Sequence, residues 1–175
     1  MTALGLLPSA VGGPKALIDP SREPNHAIVP RTAMRASTVL NEAYDYARPS
    51  SFSRGLRIDI GDATLLLISG TASIDEFGAT VHTGDFRAQL WRTYRNITVL
   101  LEGEGATWKD VVRTSCYLRD IERDYRDFNE VRTAFFGWLG LDPLPASTGI
   151  QARLCREDLL IEIEAMAILP RQARG

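Results

Sequence analysis

The sequence predicts an α+β fold: a mixed β-sheet with two helices packed on one face. Three observations predict it. Strand-like segments lie at 56–68, 111–118 and 147–169. Two intervening segments carry apolar residues at helical spacing. Turn and capping residues fall at the junctions between them. The resulting order is strand, strand, helix, strand, helix, strand, strand.

The elements follow in turn. Leu56, Ile58 and Ile60 alternate with polar positions, which is strand periodicity. Gly61-Asp62 signals a turn, and Leu65–Ile68 reads as a strand buried on both faces, so the two form a hairpin. Gly70 and Gly78 bracket a loop that ends at His82–Asp85. Asp85 or Thr83 caps a helix whose buried face is Phe86, Leu90, Ile97 and Leu101. That helix ends near Gly103 or Gly105. Val111–Leu118 is the next strand. A second helix follows with Phe128, Val131, Phe135 and Trp138 on one face, and it stops at Gly137–Gly140, before Pro143 and Pro145. The last two strands are Ser147–Leu154 and Asp158–Leu169.

The chain has 175 residues, which fits one domain with an extension. Pro8, Pro14, Pro20, Pro24, Pro30 and Pro49 crowd its first part, so residues 1–50 are read as a proline-rich extension with little regular structure and room for a short helix at Thr38–Tyr46. Residues 51–170 form the domain, and 171–175 a tail. Apolar residues make up 45% and charged residues 24%, ordinary values for a globular chain. The net charge of −2 and the lack of a basic run give little support to a surface that tracks a phosphate backbone, so no nucleic-acid partner is expected. No apolar run is long enough to cross a membrane, and the start MTALGLLPSAVGGP lacks the basic residues of a secretory signal. No membrane partner is expected, and the expected compartment is the cytoplasm. Cys116 and Cys155 are read as reduced, buried thiols. His26 and His82 stand alone, no metal-ligand spacing occurs, and no nucleotide loop is present, so neither metal nor cofactor is expected.

The last strand raises the functional question. Leu159, Ile161, Ile163, Ala165 and Ala167 share one face and cover the helices. Leu160, Glu162, Glu164 and Met166 share the other, with Leu66 and Ile68 as candidates for the same face. A sheet face that mixes apolar residues with two acids either meets solvent or packs against copies of itself, leaving the acids along a cleft. A carboxylate in a partly dry cleft has a raised pKa and can position water or move a proton.

Several motifs, in order, resemble the RidA/YjgF family of small trimeric proteins. They are SGTASI (Ser69–Ile74), TGD (Thr83–Asp85), Ala88-Gln89, Asn96-Ile97 with Leu100-Leu101, DVVRTSCYLRD (Asp110–Asp120), PAS (Pro145–Ser147) and IEIEAMA (Ile161–Ala167). The resemblance spans about Ser51 to Pro170. It implies a chorismate-mutase-like fold and a homotrimer whose helix-free sheet faces form an inner barrel, with small-molecule clefts between subunits. It further implies hydrolysis of enamines and imines such as 2-aminoacrylate, with Glu162 matching the glutamate that positions water.

The sequence departs from that pattern at the pocket. Ser147 stands where enamine-hydrolysing members carry the arginine that holds the substrate carboxylate, and serine cannot form that charged, two-pronged pair. Ser51-Phe52-Ser53-Arg54 replaces Pro-Tyr-Ser-Gln, so Phe52 lacks a hydroxyl and Arg54 adds a cation. Gly149 replaces a cleft cysteine. Arg54, Arg153 and Arg156 are candidate substitute cations. SGTASI with LCREDLLIEIE also resembles the RidA-like half of chorismatases, which implies acid chemistry on an enol ether; there a cysteine lies seven positions before the acid, as Cys155 does before Glu162.

The reading is therefore an enzyme acting on an imine, enamine or related reactive metabolite, conceivably in specialised biosynthesis. Glu162 is the acid/base or water-positioner, and Arg54 or Arg156 binds an anionic group. Phe52, Thr71, Ser147, Gly149 and Cys155 complete the site. The alternatives are a non-catalytic ligand-binding or interaction trimer, chorismatase-like acid chemistry, and ribonuclease activity.

Overall fold

The structure is a computed structural model and describes residues 24–47 and 49–171. Its six strands are β1 (Arg31–Ala33), β2 (Gly55–Ile60), β3 (Ala63–Ala72), β4 (Val111–Leu118), β5 (Ala146–Gln151) and β6 (Ile161–Pro170). Two helices, α1 (Phe86–Glu102) and α2 (Ile121–Leu139), complete the fold. The strands form one sheet in the order β1-β2-β3-β6-β4-β5. Only β4 and β5 run parallel. This is the expected mixed α+β sheet.

Local chemistry accounts for the elements. The Asp85 carboxylate accepts from Ala88 N at the start of α1. Asp120 accepts from Arg123 N at the start of α2, so both helices open on an acidic cap. Gly140 closes α2 in the left-handed conformation at φ 62°, which glycine adopts without steric cost. The helix face of the sheet is built by Leu66, Ile68, Ile161, Ile163, Ala165, Ala167 and Leu169, all buried. Against them pack Leu90, Ile97, Leu100 and Leu101 from α1, with Phe128, Val131 and Phe135 from α2 in the same core. Tyr94 stacks on Phe135 at 4.5 Å between ring centres and meets Trp108 edge-on.

Four sequence expectations change. Leu66 and Ile68 belong to the helix face, opposite Ala167 and Ala165, because the β3–β6 register puts Leu65 and Leu67 on the open face instead. Leu160 precedes β6 and is buried, its N–H held by the Gln89 side chain. Trp138 is 79% exposed: α2 carries it past the core. Cys116 is buried as expected, but Cys155 is exposed.

Residues 31–47 are not merely draped over the domain. β1 pairs with β2, and Met34, Val39, Leu40 and Ala43 enter the core. A short 3-10 turn occupies Ala43–Asp45, within the span where a helix was expected. Arg92 donates to Val39 O and Ile74 O, fastening this segment and the loop after β3 to α1. Among the described residues, no helix is long and apolar enough to cross a membrane.

Candidate functional site

Along β6 the side chains alternate as the sequence requires: Ile161, Ile163, Ala165 and Ala167 inward, Glu162, Glu164, Met166 and Ile168 outward. The outward set shares the helix-free face with Leu56, Leu67, Arg113 and Ser115, which line a cavity of about 380 Å³. Next to it, sharing Ser69 and Glu164, lies a second cavity of about 360 Å³. The second is the candidate site. Its lining brings together Glu162, Arg54, Phe52, Arg156, Tyr46 and Cys155.

The Glu162 carboxylate reaches this cavity because of a defect in β3. The register with β6 shifts by one residue between Ile68 and Thr71, so Ser69 and Gly70 both line the cleft. Ser69 N–H donates to Arg54 O, Ser69 Oγ to Ser53 O, and Thr71 Oγ1 to Ser69 O, fixing the bulge. A Cβ at Gly70 would run into the Glu162 carboxylate. A glycine is therefore needed for Glu162 to lie across the bulge.

No described residue donates a hydrogen bond to Glu162. Burial pushes its pKa up, the Glu164 charge two residues on pushes it further, and Arg54 pulls it partly back. Glu164 is more exposed and accepts from the Tyr117 hydroxyl at 2.8 Å, a bond that raises the tyrosine pKa. The two acids thus differ: one is a carboxylate without a donor in a cleft, the other a hydrogen-bonded neighbour.

Arg54 is 4% exposed. Its backbone N–H meets the Glu42 carboxylate at 3.3 Å and its Nε donates to Asn41 O at 2.9 Å. Its guanidinium carbon lies 5.0 Å from the centre of the Tyr46 ring and 5.3 Å from that of Phe52. Arg156 donates to Gly78 O, while its own carbonyl accepts from Arg119. Gln89 donates to Asp158 O and accepts from Leu160 N–H, so α1 sets the path of the chain into β6. Asn96 donates to Ala72 O and Ile74 O and sets the path out of β3.

Of the expected site residues, Glu162, Arg54, Phe52, Cys155 and Arg156 come together in one cleft. Thr71 does not line it: its hydroxyl is buried and spent on the bulge. Ser147 and Gly149 lie on β5, the sheet edge beyond β4, away from this cleft. Ser147 Oγ accepts from Thr114 and Arg132 there, and nothing lies within 4 Å of a Cβ built at Gly149. Arg153 is exposed and does not line the cleft. Sequence reasoning missed Tyr46, Ser69 and Gly70. A glycine inside an apolar strand signals close approach and pointed to Gly70; Tyr46 gave no comparable signal.

Among the described residues, no group of three His, Cys, Asp or Glu side chains could hold a metal ion. A family model described as endoribonuclease L-PSP matches residues 47–169. A RutC family protein of Pyrococcus abyssi is 33% identical over 102 residues, which cover 58% of this chain and 76% of that protein. Protein DfrA of Myxococcus xanthus is 28% identical over 67% of this chain and 84% of its own. The crystal structure of the YjgF gene product from E. coli superposes with a TM-score of 0.63 at 22% identity, covering 78% of this chain and 98% of that one. E. coli TdcF with bound serine gives 0.64 at 19%, covering 81% and 99%.

Proposed function

This chain belongs to the RidA/YjgF family, and on that premise we propose that its cleft hydrolyses an imine, reached directly or from its enamine tautomer, with Glu162 as the acid/base group. The observation that carries this reading is the Glu162 carboxylate itself, placed across a glycine bulge, without a donor among the described residues, its pKa raised by burial and by Glu164. Such a group accepts a proton from water as the oxygen attacks the imine carbon. It returns that proton to the nitrogen to give the carbinolamine, then carries the hydroxyl proton to the nitrogen as the C–N bond breaks and the carbonyl forms, leaving a ketone and ammonia. The net charge of −2 and the two acids of the cleft disfavour a polyphosphate ligand, so ribonuclease chemistry is the weaker alternative.

The same proposal includes a homotrimer built on the helix-free face. Ile60 and Ile168 are half exposed there, beside the cavity of Leu56, Leu67 and Met166, and an apolar sheet face of this kind favours association. In a trimer, Ser147 and Gly149 on the β5 edge can reach the cleft of a neighbour, which they do not reach in their own chain. A single-subunit mass in solution would remove this part of the proposal.

The test is ammonia release from freshly generated 2-aminoacrylate and bulkier imino acids. Glu162→Gln is expected to lower the rate roughly 100-fold or more while the fold persists. Equal rates in both proteins defeat the reading. A second reading, a ligand-binding protein without turnover, is favoured by Ser147 in place of the arginine. It gains if no imine is hydrolysed above background by the wild type.

A further inference from the structure

An arginine that is 4% exposed as a residue normally spends its donors on protein acceptors. Arg54 spends only Nε, on Asn41 O. Neither Nη1 nor Nη2 has a hydrogen bond or ion pair with a described residue. Yet Arg54 lines the cleft that holds Glu162, and its charge is felt there, since it opposes the upward shift of the Glu162 pKa. The rings of Tyr46 and Phe52 flank the guanidinium, and the Asn41 carbonyl pins its inner edge. What stays available is the pair of terminal nitrogens, a fork of parallel donors matched to two oxygens of one planar group.

We propose that Arg54, at a position other than the one Ser147 holds, is the anion anchor of this cleft and that the cleft takes a monoanion with an apolar side chain beside its reacting carbon. This rests on the hydrolytic reading for the second half of the description only; the anchor itself follows from the unpaired fork. A single negative charge is selected because Glu162 and Glu164 line the same cavity, so a dianion such as a phosphate monoester meets one free fork and two acids. Arg156, the other cation of the lining, is less buried and spends one arm of its fork, Nη1, on Gly78 O, so it does not offer both terminal nitrogens to one ligand. The cavity of about 360 Å³ exceeds what a three-carbon acid fills, and Ala43, Ala72, Ile74 and Leu159 give the remainder an apolar lining. The ligand therefore places its carboxylate on Arg54, its reacting carbon toward Glu162, and an apolar side chain against those residues. Two lining residues, Ala43 and Tyr46, and the Asn41 carbonyl that pins Arg54 come from the segment before residue 47, outside the span matched by the family model.

The test uses the full-length protein and isothermal titration with two probes of one shape, 2-oxobutanoate and its neutral amide. Wild type is expected to prefer the acid by about tenfold or more. Arg54→Gln is expected to remove that preference by weakening the acid and leaving the amide unchanged. Arg54→Lys keeps the charge without the fork and is expected to fall between. Phe52→Leu removes a flanking ring without touching the Asn41 contact; it covers the case in which Arg54→Gln does not fold, and is expected to weaken the acid alone. Equal binding of acid and amide by wild type, binding of neither, or undiminished acid affinity in a folded Arg54→Gln overturns the anchor. Glu162→Gln separates the two proposals. If it retains the acid preference but hydrolyses imino acids as fast as wild type, the anchor stands and the hydrolytic role of Glu162 fails. If Glu162→Gln loses turnover while Arg54→Gln keeps the wild-type KM, the role stands and the anchor fails.

Discussion

The two faces of β6 are built from one run of residues and obey opposite rules. On the helix side, Ile161, Ile163, Ala165 and Ala167 are shut from solvent, and their neighbours across the sheet are buried too, apolar except for Thr71 and Thr114, whose hydroxyls are hydrogen-bonded. On the other side, Glu162 and Glu164 alternate with Met166 and Ile168, and the strand opposite is bulged rather than regular. The first face is determined by packing and admits a polar group only where it is hydrogen-bonded, as Thr64, Thr71 and Thr114 are. The second gives up a regular ladder at Ser69-Gly70 and accepts a desolvated carboxylate. The difference shows where the molecule carries stability and where it gives some away.

The comparison can be broken in several places. The largest expected effect is on chemistry: Gly70→Ala puts a methyl group where the Glu162 carboxylate lies, and because the colliding atoms are the far end of a flexible side chain, the carboxylate moves and the fold survives. Turnover should fall about as far as in Glu162→Gln, roughly 100-fold, with the thermal midpoint little changed. A fully active Gly70→Ala would mean that the position of Glu162 is not set by the bulge.

The next effect concerns stability. Ile163→Ala should cost about 2–5 kcal/mol in urea unfolding, whereas Met166→Ala on the open face should cost the subunit less than about 1.5 kcal/mol. Similar costs for the two would erase the distinction between the faces.

Smaller but more telling is the pH dependence of Glu162→Gln. The folded-state pKa of Glu162 lies above its unfolded value, so the folded protein holds the proton more tightly. Stability is then unpenalised below the unfolded pKa and is lost as pH rises through the folded one. Glu162→Gln should therefore melt higher than wild type at neutral pH, and the gain should vanish under acid conditions where Glu162 is protonated. A gain at every pH, or none at neutral pH, would show that the carboxylate is not held in a desolvated place. The smallest effect is expected from Glu164→Gln. It removes the charge that helps raise the Glu162 pKa, so the acid limb of the rate profile should shift to lower pH.

Much of the fold was legible in the sequence because alternation and capping are local. Asp85 and Gly140 act where spacing put helix ends, and IEIEAMA displays its two faces without any partner strand. The errors lie where local pattern is silent. Leu65–Ile68 has no alternation, so only its register with β6 decides that Leu66 and Ile68 face the helices. Trp138 fits the helical stripe, but a stripe does not say where the sheet beneath it ends. The site was legible in its residue types and less so in its assembly. Arg54, Phe52, Cys155, Arg156 and Glu162 converge, whereas Ser147 and Gly149, neighbours of the cleft by motif, are separated from it by the strand order of the sheet. Tyr46 was missed because its contribution depends on how residues 31–47 return to the core.

That return path bears on how such a protein diverges. The segment that carries Asn41, Ala43 and Tyr46 is held by its β1 pairing, by core side chains such as Leu40, and by bonds that include Arg54 to Asn41 O, Arg92 to Val39 O and Asn41 Nδ2 to Glu76 O. A segment so attached can be exchanged as a unit, changing which molecules are admitted while the acid on β6 and the glycine beneath it stay as they are. Selectivity and reactivity thus occupy separable stretches of the gene, and a relative that keeps the second can be retuned by rewriting the first.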